Sequence, residues 1–330
     1  MTIDVHTHVV PADFPARAGG GAEGRWPRMQ ACDHPHHRTV MIGERAFRTV
    51  SDHAWDIGRR LDDMDREGVT AQALSPMPEL LSYWFSVDDA VVMADHVNGI
   101  IAEMVAREPE RFHGLGMVPL QDPERAARYA SDLRQRFGLV GVEVGTNING
   151  RPIGDPHFDP FFAAAEQDEL AIFVHALHPA GADRVLGPPL LQALVAFPNE
   201  NAFAVASVVT GGLLDRYPKL RIGFSHGGGG FALVLPRLEF GWRATREQGA
   251  FLPDSPTAYA RRLYYDALVY DDAALAYLLQ AFGDTQLMAG SDYPFAIREP
   301  SPGDRFSRLG LDAAAVERLK TGNALRFLGV

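Results

Sequence analysis

Short apolar runs recur along the 330-residue chain, and each is followed by a longer stretch of helical period. The runs cover residues 3–8, 71–75, 114–118, 138–144, 171–175, 221–225, 263–268 and 287–290. Between and after them lie helical segments at 56–67, 90–108, 123–137, 160–168, 190–208, 231–248, 271–282 and 312–328. Asp122 stands as an N-cap with Pro123 in the first helical position, and Pro198 is expected to break the helix that contains it. Strands that are nearly all apolar and alternate with helices mean a parallel sheet covered by helices. Eight such units close into an α/β fold, a (β/α)8 TIM-like barrel whose functional site lies at the C-terminal strand ends. An open doubly wound sheet is the alternative, weakened because no Gly-x-Gly-x-x-Gly follows the first run.

Residues 11–50 fall outside the repeat. They hold Gly19, Gly20 and Gly21 and the histidines His34, His36 and His37. This is too long for an ordinary connection between strand and helix. It reads as an insertion after the first strand, with a small hairpin over 39–50, within one domain spanning 1–330. His34, His36 and His37 read as a solvated loop.

Formal net charge is −11, with 31 basic against 42 acidic residues and no basic cluster, which argues against nucleic-acid binding. Cys32 is the only cysteine, so no disulfide forms within the chain, which fits a reducing cytoplasm. The start of the chain lacks a basic region followed by an apolar one, and no uninterrupted apolar run reaches roughly 18 residues, so neither a signal peptide nor a membrane span is expected.

Titratable residues stand where a barrel would need them. His6 and His8 are one residue apart at the end of the first run, on one face of a strand. Ala-Ile-Phe-Val-His ends at His175, Gly-Phe-Ser-His at His226, and Met-Ala-Gly-Ser-Asp at Asp292. Five such groups converge on one rim. Histidine and carboxylate ligands of this kind suit a zinc ion, which lowers the pKa of a water it binds. A further histidine outside the ligand set can take a proton. No candidate strand ends in lysine, so a lysine-derived bridge to a second metal is unavailable and one metal is favoured. Glu143 is a possible extra carboxylate.

The blocks Asp-Val-His-Thr-His, Phe-Val-His, Ser-His-Gly-Gly-Gly and Gly-Ser-Asp-Tyr-Pro-Phe resemble the signatures of the amidohydrolase superfamily. Within it they are similar to the branch related to 2-amino-3-carboxymuconate 6-semialdehyde decarboxylase. Matching stretches run through most of the chain in order, among them Phe47-Arg48, Ser82-Tyr83-Trp84, Tyr217-Pro218-Lys219-Leu220, Asp266-Ala267-Leu268 and Gly322-Asn323-Ala324. The resemblance implies that His6, His8, His175 and Asp292 hold one Zn2+, or Mn2+ or another divalent ion, and that His226 is the base beside it. It also implies that Arg48 and Arg237 grip substrate carboxylates, Arg237 from a neighbouring subunit, and hence a homodimer. Guanidinium forks suit that task.

The loop after the fifth strand departs from the family pattern. It reads His175-Ala-Leu-His178-Pro179, without the family's Pro-Trp pair, and His178 reads as a loop histidine bonded to backbone. The expected activity is metal-dependent, non-oxidative decarboxylation of a small unsaturated or aromatic (di)carboxylic acid, with Asp292 a possible proton donor to the ring carbon. Hydrolysis or hydration at the same site is the alternative.

Overall fold

The computed structural model describes residues 1–17, 25–188, 190–246 and 251–330. The glycines at 19–21 and the far end of the 231–248 helix lie outside the described residues. Eight parallel strands form one sheet in sequence order: β1 (Ile3–Val9), β2 (Ala71–Pro76), β3 (Phe112–Gly116), β4 (Gly141–Gly145), β5 (Ala171–His175), β6 (Arg221–Phe224), β7 (Tyr264–Asp266) and β8 (Leu287–Met288). The last strand meets the first. Val5 N donates to Ala289 O at 2.9 Å, Asp292 N donates to His6 O at 2.9 Å, and Thr7 bridges Tyr293 in parallel. The ring is a (β/α)8 barrel.

Side-chain alternation sorts the strands' two faces. Val142, Val144, Ile172, Val174, Ile222 and Phe224 belong to the apolar layer between strands and helices. Ala71, Ala73, Ala171 and Phe173 form a separate interior cluster, joined by Ala324, Phe327 and Leu328 of the closing helix Asn323–Leu328. Glu143 and His175 share the faces of Gly141 and Phe173, so each strand carries its polar residue above an apolar floor. A register shift in β1 between Asp4 and Thr7 precedes the placement of His8.

Helix boundaries follow local chemistry. Asp122 caps Pro123–Phe137 by accepting from Arg125 N at 3.0 Å, and Gly138 ends it at φ 69°. Gly138 is therefore a cap, and β4 starts three residues later than the apolar run implies. The helix expected from residue 90 starts at Val87, because Ser86 caps it. Pro198 does not break its helix. It sits where a wide turn over Gln192–Ala196 passes into Phe197–Thr210, so its missing amide donor falls where the hydrogen-bond spacing changes. A similar wide turn, Arg318–Gly322, interrupts the last helical segment.

Averaged over its length, the stretch Gln192–Thr210 is apolar enough to cross a membrane, although no single uninterrupted run is. Its polar residues tie it to the barrel instead. Glu200 accepts from Asn147 Nδ2 at 2.9 Å and Ala180 N at 2.8 Å, and Asn201 reaches Ser225 Oγ at 3.1 Å.

The insertion holds a three-stranded antiparallel sheet, Pro27–Ala31, His37–Ile42 and Arg45–Ser51. The expected hairpin is its second and third strands. The first strand, Pro27–Ala31, lies outside that expectation: it is five residues long and opens on proline, which weakens the strand signal.

Candidate metal centre

His6, His8, His175 and Asp292 come together although up to 286 positions separate them in sequence. One ligand atom from each lies within 4.8 Å of all the others, and all four residues are buried. His6 Nε2 stands 3.2 Å from His8 Nε2, and Asp292 Oδ1 is 3.2 Å from His8 Nε2 and 3.6 Å from His6 Nε2. Ligands about 2.0–2.2 Å from a tetrahedral ion stand roughly 3.3–3.6 Å apart. These spacings therefore fit a cation between the side chains.

The opposite ring nitrogens are already engaged. His6 Nδ1 meets Asp266 Oδ2 at 2.6 Å, His8 Nδ1 meets Pro76 O at 3.0 Å, and His175 Nδ1 meets Ala176 O at 2.9 Å. Each oxygen can only accept, so Nδ1 is the donor in each ring and Nε2 is the nitrogen left to face a metal. His175 Nε2 is buried without a hydrogen-bond partner, which is costly unless something coordinates it. The donor set and the orphaned nitrogen both fit a divalent ion.

Buried carboxylates make the centre cation-seeking. Asp292 faces it, with Asp266 behind His6 and Glu143 behind His8. Burial pulls the His6 pKa down, but the Asp266 hydrogen bond and the three carboxylates outweigh it and lift the pKa to about 9. Burial would raise Asp292, yet His8, His6 and His226 hold it down at about 2. Burial lifts Glu143 to about 8 against the hydrogen bond from Ser75 Oγ at 2.5 Å. Glu143 lies 3.7 Å from His8 Nδ1, beneath the ligands, and does not join them.

Asp266 had no role in the sequence reading beyond its place in a family-like stretch. It closes β7 as His175 closes β5, and that position was the available signal. Besides His6 it accepts from His226 N at 2.9 Å and Gly227 N at 2.8 Å, so one carboxylate orients a candidate ligand and the loop after β6. That loop needs its glycines: Gly229 has φ 61°, and a Cβ there would stand 1.7 Å from Pro198 O. His226 and Asp292 themselves sit at φ 53° and 65°, a left-handed backbone that non-glycine residues seldom adopt outside constrained sites. Arg60, fully buried, donates from Nη2 to His8 O at 2.7 Å and stacks over Tyr293.

His226 lines the cavity above the ligands, with Nδ1 3.0 Å from Asn201 Nδ2. Burial and the neighbouring His6 lower its pKa to about 4, which keeps the ring neutral near pH 7. The cavity measures about 470 Å³ and runs from His175, His226 and Asp292 up to the insertion sheet. Its walls are largely apolar, with Met77, Phe197 and Phe295 among them. Arg48 enters from the insertion with its guanidinium 4.5 Å from the Phe295 ring centre. Burial lowers the Arg48 pKa, while Asp292 and Glu79 oppose the shift.

Arg237 is not in this cavity. It is exposed on helix Phe231–Thr245. His37 is half-buried and lines the cavity, unlike its exposed neighbours His34 and His36, so the histidine-rich segment is only partly a solvated loop. His178 bonds a side chain rather than backbone, with Nε2 3.2 Å from Glu79 Oε2.

A family model described as amidohydrolase matches residues 3–330. The chain belongs to the amidohydrolase family. It is 33% identical over 336 residues to the 2-amino-3-carboxymuconate-6-semialdehyde decarboxylase of Dictyostelium discoideum, covering all of this chain and 92% of that protein. Among solved structures it resembles the 5-carboxyvanillate decarboxylase of Sphingomonas paucimobilis, with a TM-score of 0.75 and 29% identity over 83% of each chain. The dihydroxybenzoic acid decarboxylase of Polaromonas sp. JS666, solved with bound manganese, shares the fold at a TM-score of 0.71 and 23% identity, over 82% of this amidohydrolase and 85% of that chain.

Proposed function

We propose that this amidohydrolase-family chain is a metal-dependent, non-oxidative decarboxylase of a small aromatic or unsaturated carboxylic acid. The observation that carries the reading is the four-residue ligand set at the floor of a cavity with apolar walls and a half-buried arginine. The decarboxylases to which the chain is similar support it. His6, His8, His175 and Asp292 would hold the metal, and zinc suits a set of three imidazoles and one carboxylate. When bound, the metal would draw electron density from the substrate's oxygens and balance the charge of the acid.

The chain's own residues supply the rest. Arg48 holds a carboxylate by charge and paired hydrogen bonds. Phe197, Phe295 and Met77 give a ring apolar surfaces and exclude water. Loss of carbon dioxide leaves an electron pair on the ring or chain carbon, and that carbon must gain a proton. His226 and Asp292 are the ionisable groups facing it from the floor, and one of them would relay to it a proton drawn from solvent.

We also assign a homodimer. Leu233, Val234 and Phe240 are exposed on the helix that carries Arg237, and Phe203, Leu194 and Val195 are exposed on the adjoining helical segment. Exposed apolar residues grouped in this way mark an association surface. A second copy seated there would cover them and could bring Arg237 to its partner's cavity. With Cys32 the sole cysteine, a reducing cytoplasm suits the protein.

The deciding experiment is carbon dioxide release from a panel of hydroxybenzoic and ring-cleavage acids by protein of measured metal content. Release from at least one acid, lost on chelation, is expected. Hydrolysis or hydration of related compounds with no carbon dioxide would replace this reading.

A further inference from the structure

The cavity that receives an acid also carries an acid of its own. Glu79 follows β2 and lines the cavity together with Arg48. Its side chain is 18% exposed, and His178 Nε2 lies 3.2 Å from its Oε2. His178 is held for this contact. Its backbone sits at φ 42°, and its ring lies on Trp84 with centres 4.8 Å apart and planes at 36°. The His178 ring donates to the carboxylate and fixes its position at the cavity wall.

We infer that Glu79 is a specificity-determining residue, selecting substrates that bring a hydroxyl or amino donor to this side of the cavity over those that bring a second carboxylate. The inference rests on the cavity binding a carboxylic acid. Among the described residues of one chain, Arg48 is the single arginine lining the cavity, and the substrate's reacting side and Glu79 both draw on its charge. A second substrate carboxylate beside Glu79 would be repelled across a low-dielectric space, whereas a hydroxyl or amino group would donate to it.

The test is calorimetric binding of two probes, meta-hydroxybenzoate and isophthalate, to metal-loaded wild type and to Glu79→Gln and His178→Ala variants. Glu79→Gln keeps an acceptor for His178 and removes the charge. The ratio of isophthalate to meta-hydroxybenzoate affinity is expected to rise about tenfold or more in Glu79→Gln, since a charge pair at this range is worth at least that factor. His178→Ala is expected to retain the wild-type preference for meta-hydroxybenzoate, because the charge on Glu79 remains. An unchanged ratio in Glu79→Gln, with both acids bound, overturns the inference and leaves Glu79 as a loop anchor. A protein that holds its metal and binds neither acid overturns the underlying reading of the cavity instead.

Discussion

The barrel rim and the insertion sheet meet across one cavity and are built in opposite ways. On the rim, His6, His8, His175 and Asp292 come from strand ends or the residues just past them, and their supports are buried: Asp266 behind His6, Pro76 O behind His8, Ala176 O behind His175. Across from them, Arg48 comes from the last strand of a three-stranded sheet whose residues are mostly exposed or half-buried. Beside it Glu79 and His178 pair across two loops. The rim's candidate ligands are each fixed by a buried hydrogen bond or a strained backbone, as a coordination site would require. The roof is built of loops and a small sheet, which tolerate change that a barrel strand does not.

The largest expected effect comes from removing a rim ligand. His175→Ala should leave metal content near zero by elemental analysis and abolish turnover, with the fold retained by circular dichroism. Retention of a full equivalent of metal would remove His175 from the ligand set. Next is its support. Asp266→Asn should weaken metal affinity and activity by about 10–100-fold, measured by chelator competition, because the hydrogen bond that orients the His6 ring loses its charge. A change under twofold would show that Asp266 only fastens the loop after β6.

The roof should respond through binding. Arg48→Ala is expected to raise KM by roughly 10–100-fold, as loss of a charge-assisted hydrogen bond does, while metal content stays unchanged. Equal losses of kcat and metal would place Arg48 with the rim instead. Acidification should separate the regions again. Imidazole and carboxylate ligands bind a metal only when deprotonated, so metal occupancy should be high at neutral pH and fall as pH drops through the acid range. Dialysis at stepped pH with metal analysis checks the direction. The smallest effect belongs to Arg237→Ala: a few-fold rise in KM is expected in the dimer, and none if sedimentation shows a monomer.

The barrel was legible because its strands are short, apolar and separated by helical periods. His6, His8, His175, His226 and Asp292 were legible because each interrupts or closes an apolar run with a titratable group. Other features depended on contacts across the fold. Asp266 ends Tyr-Tyr-Asp at the end of β7, yet its partner His6 is 260 positions away. The first insertion strand, Pro27–Ala31, is short, opens on proline and buries only one of its five residues, so its partner strand rather than its own sequence defines it. Arg237 matched a family position, but only the structure shows it facing outward from its own cavity.

What the sequence by itself determined is local. Periodicity decides which segments are strands and which are helices, and Asp122, Gly138 and Gly229 settle caps and tight turns through their own stereochemistry. It also placed ligand chemistry at strand ends. The tertiary structure alone decided distances: that three Nε2 atoms and one carboxylate share a point, that His175 Nε2 has no protein partner, and that Glu79 stands beside Arg48 with His178 at its back. Backbone preferences act over a few residues, whereas coordination and charge pairing act through space between segments whose separation along the chain carries no information about their contact.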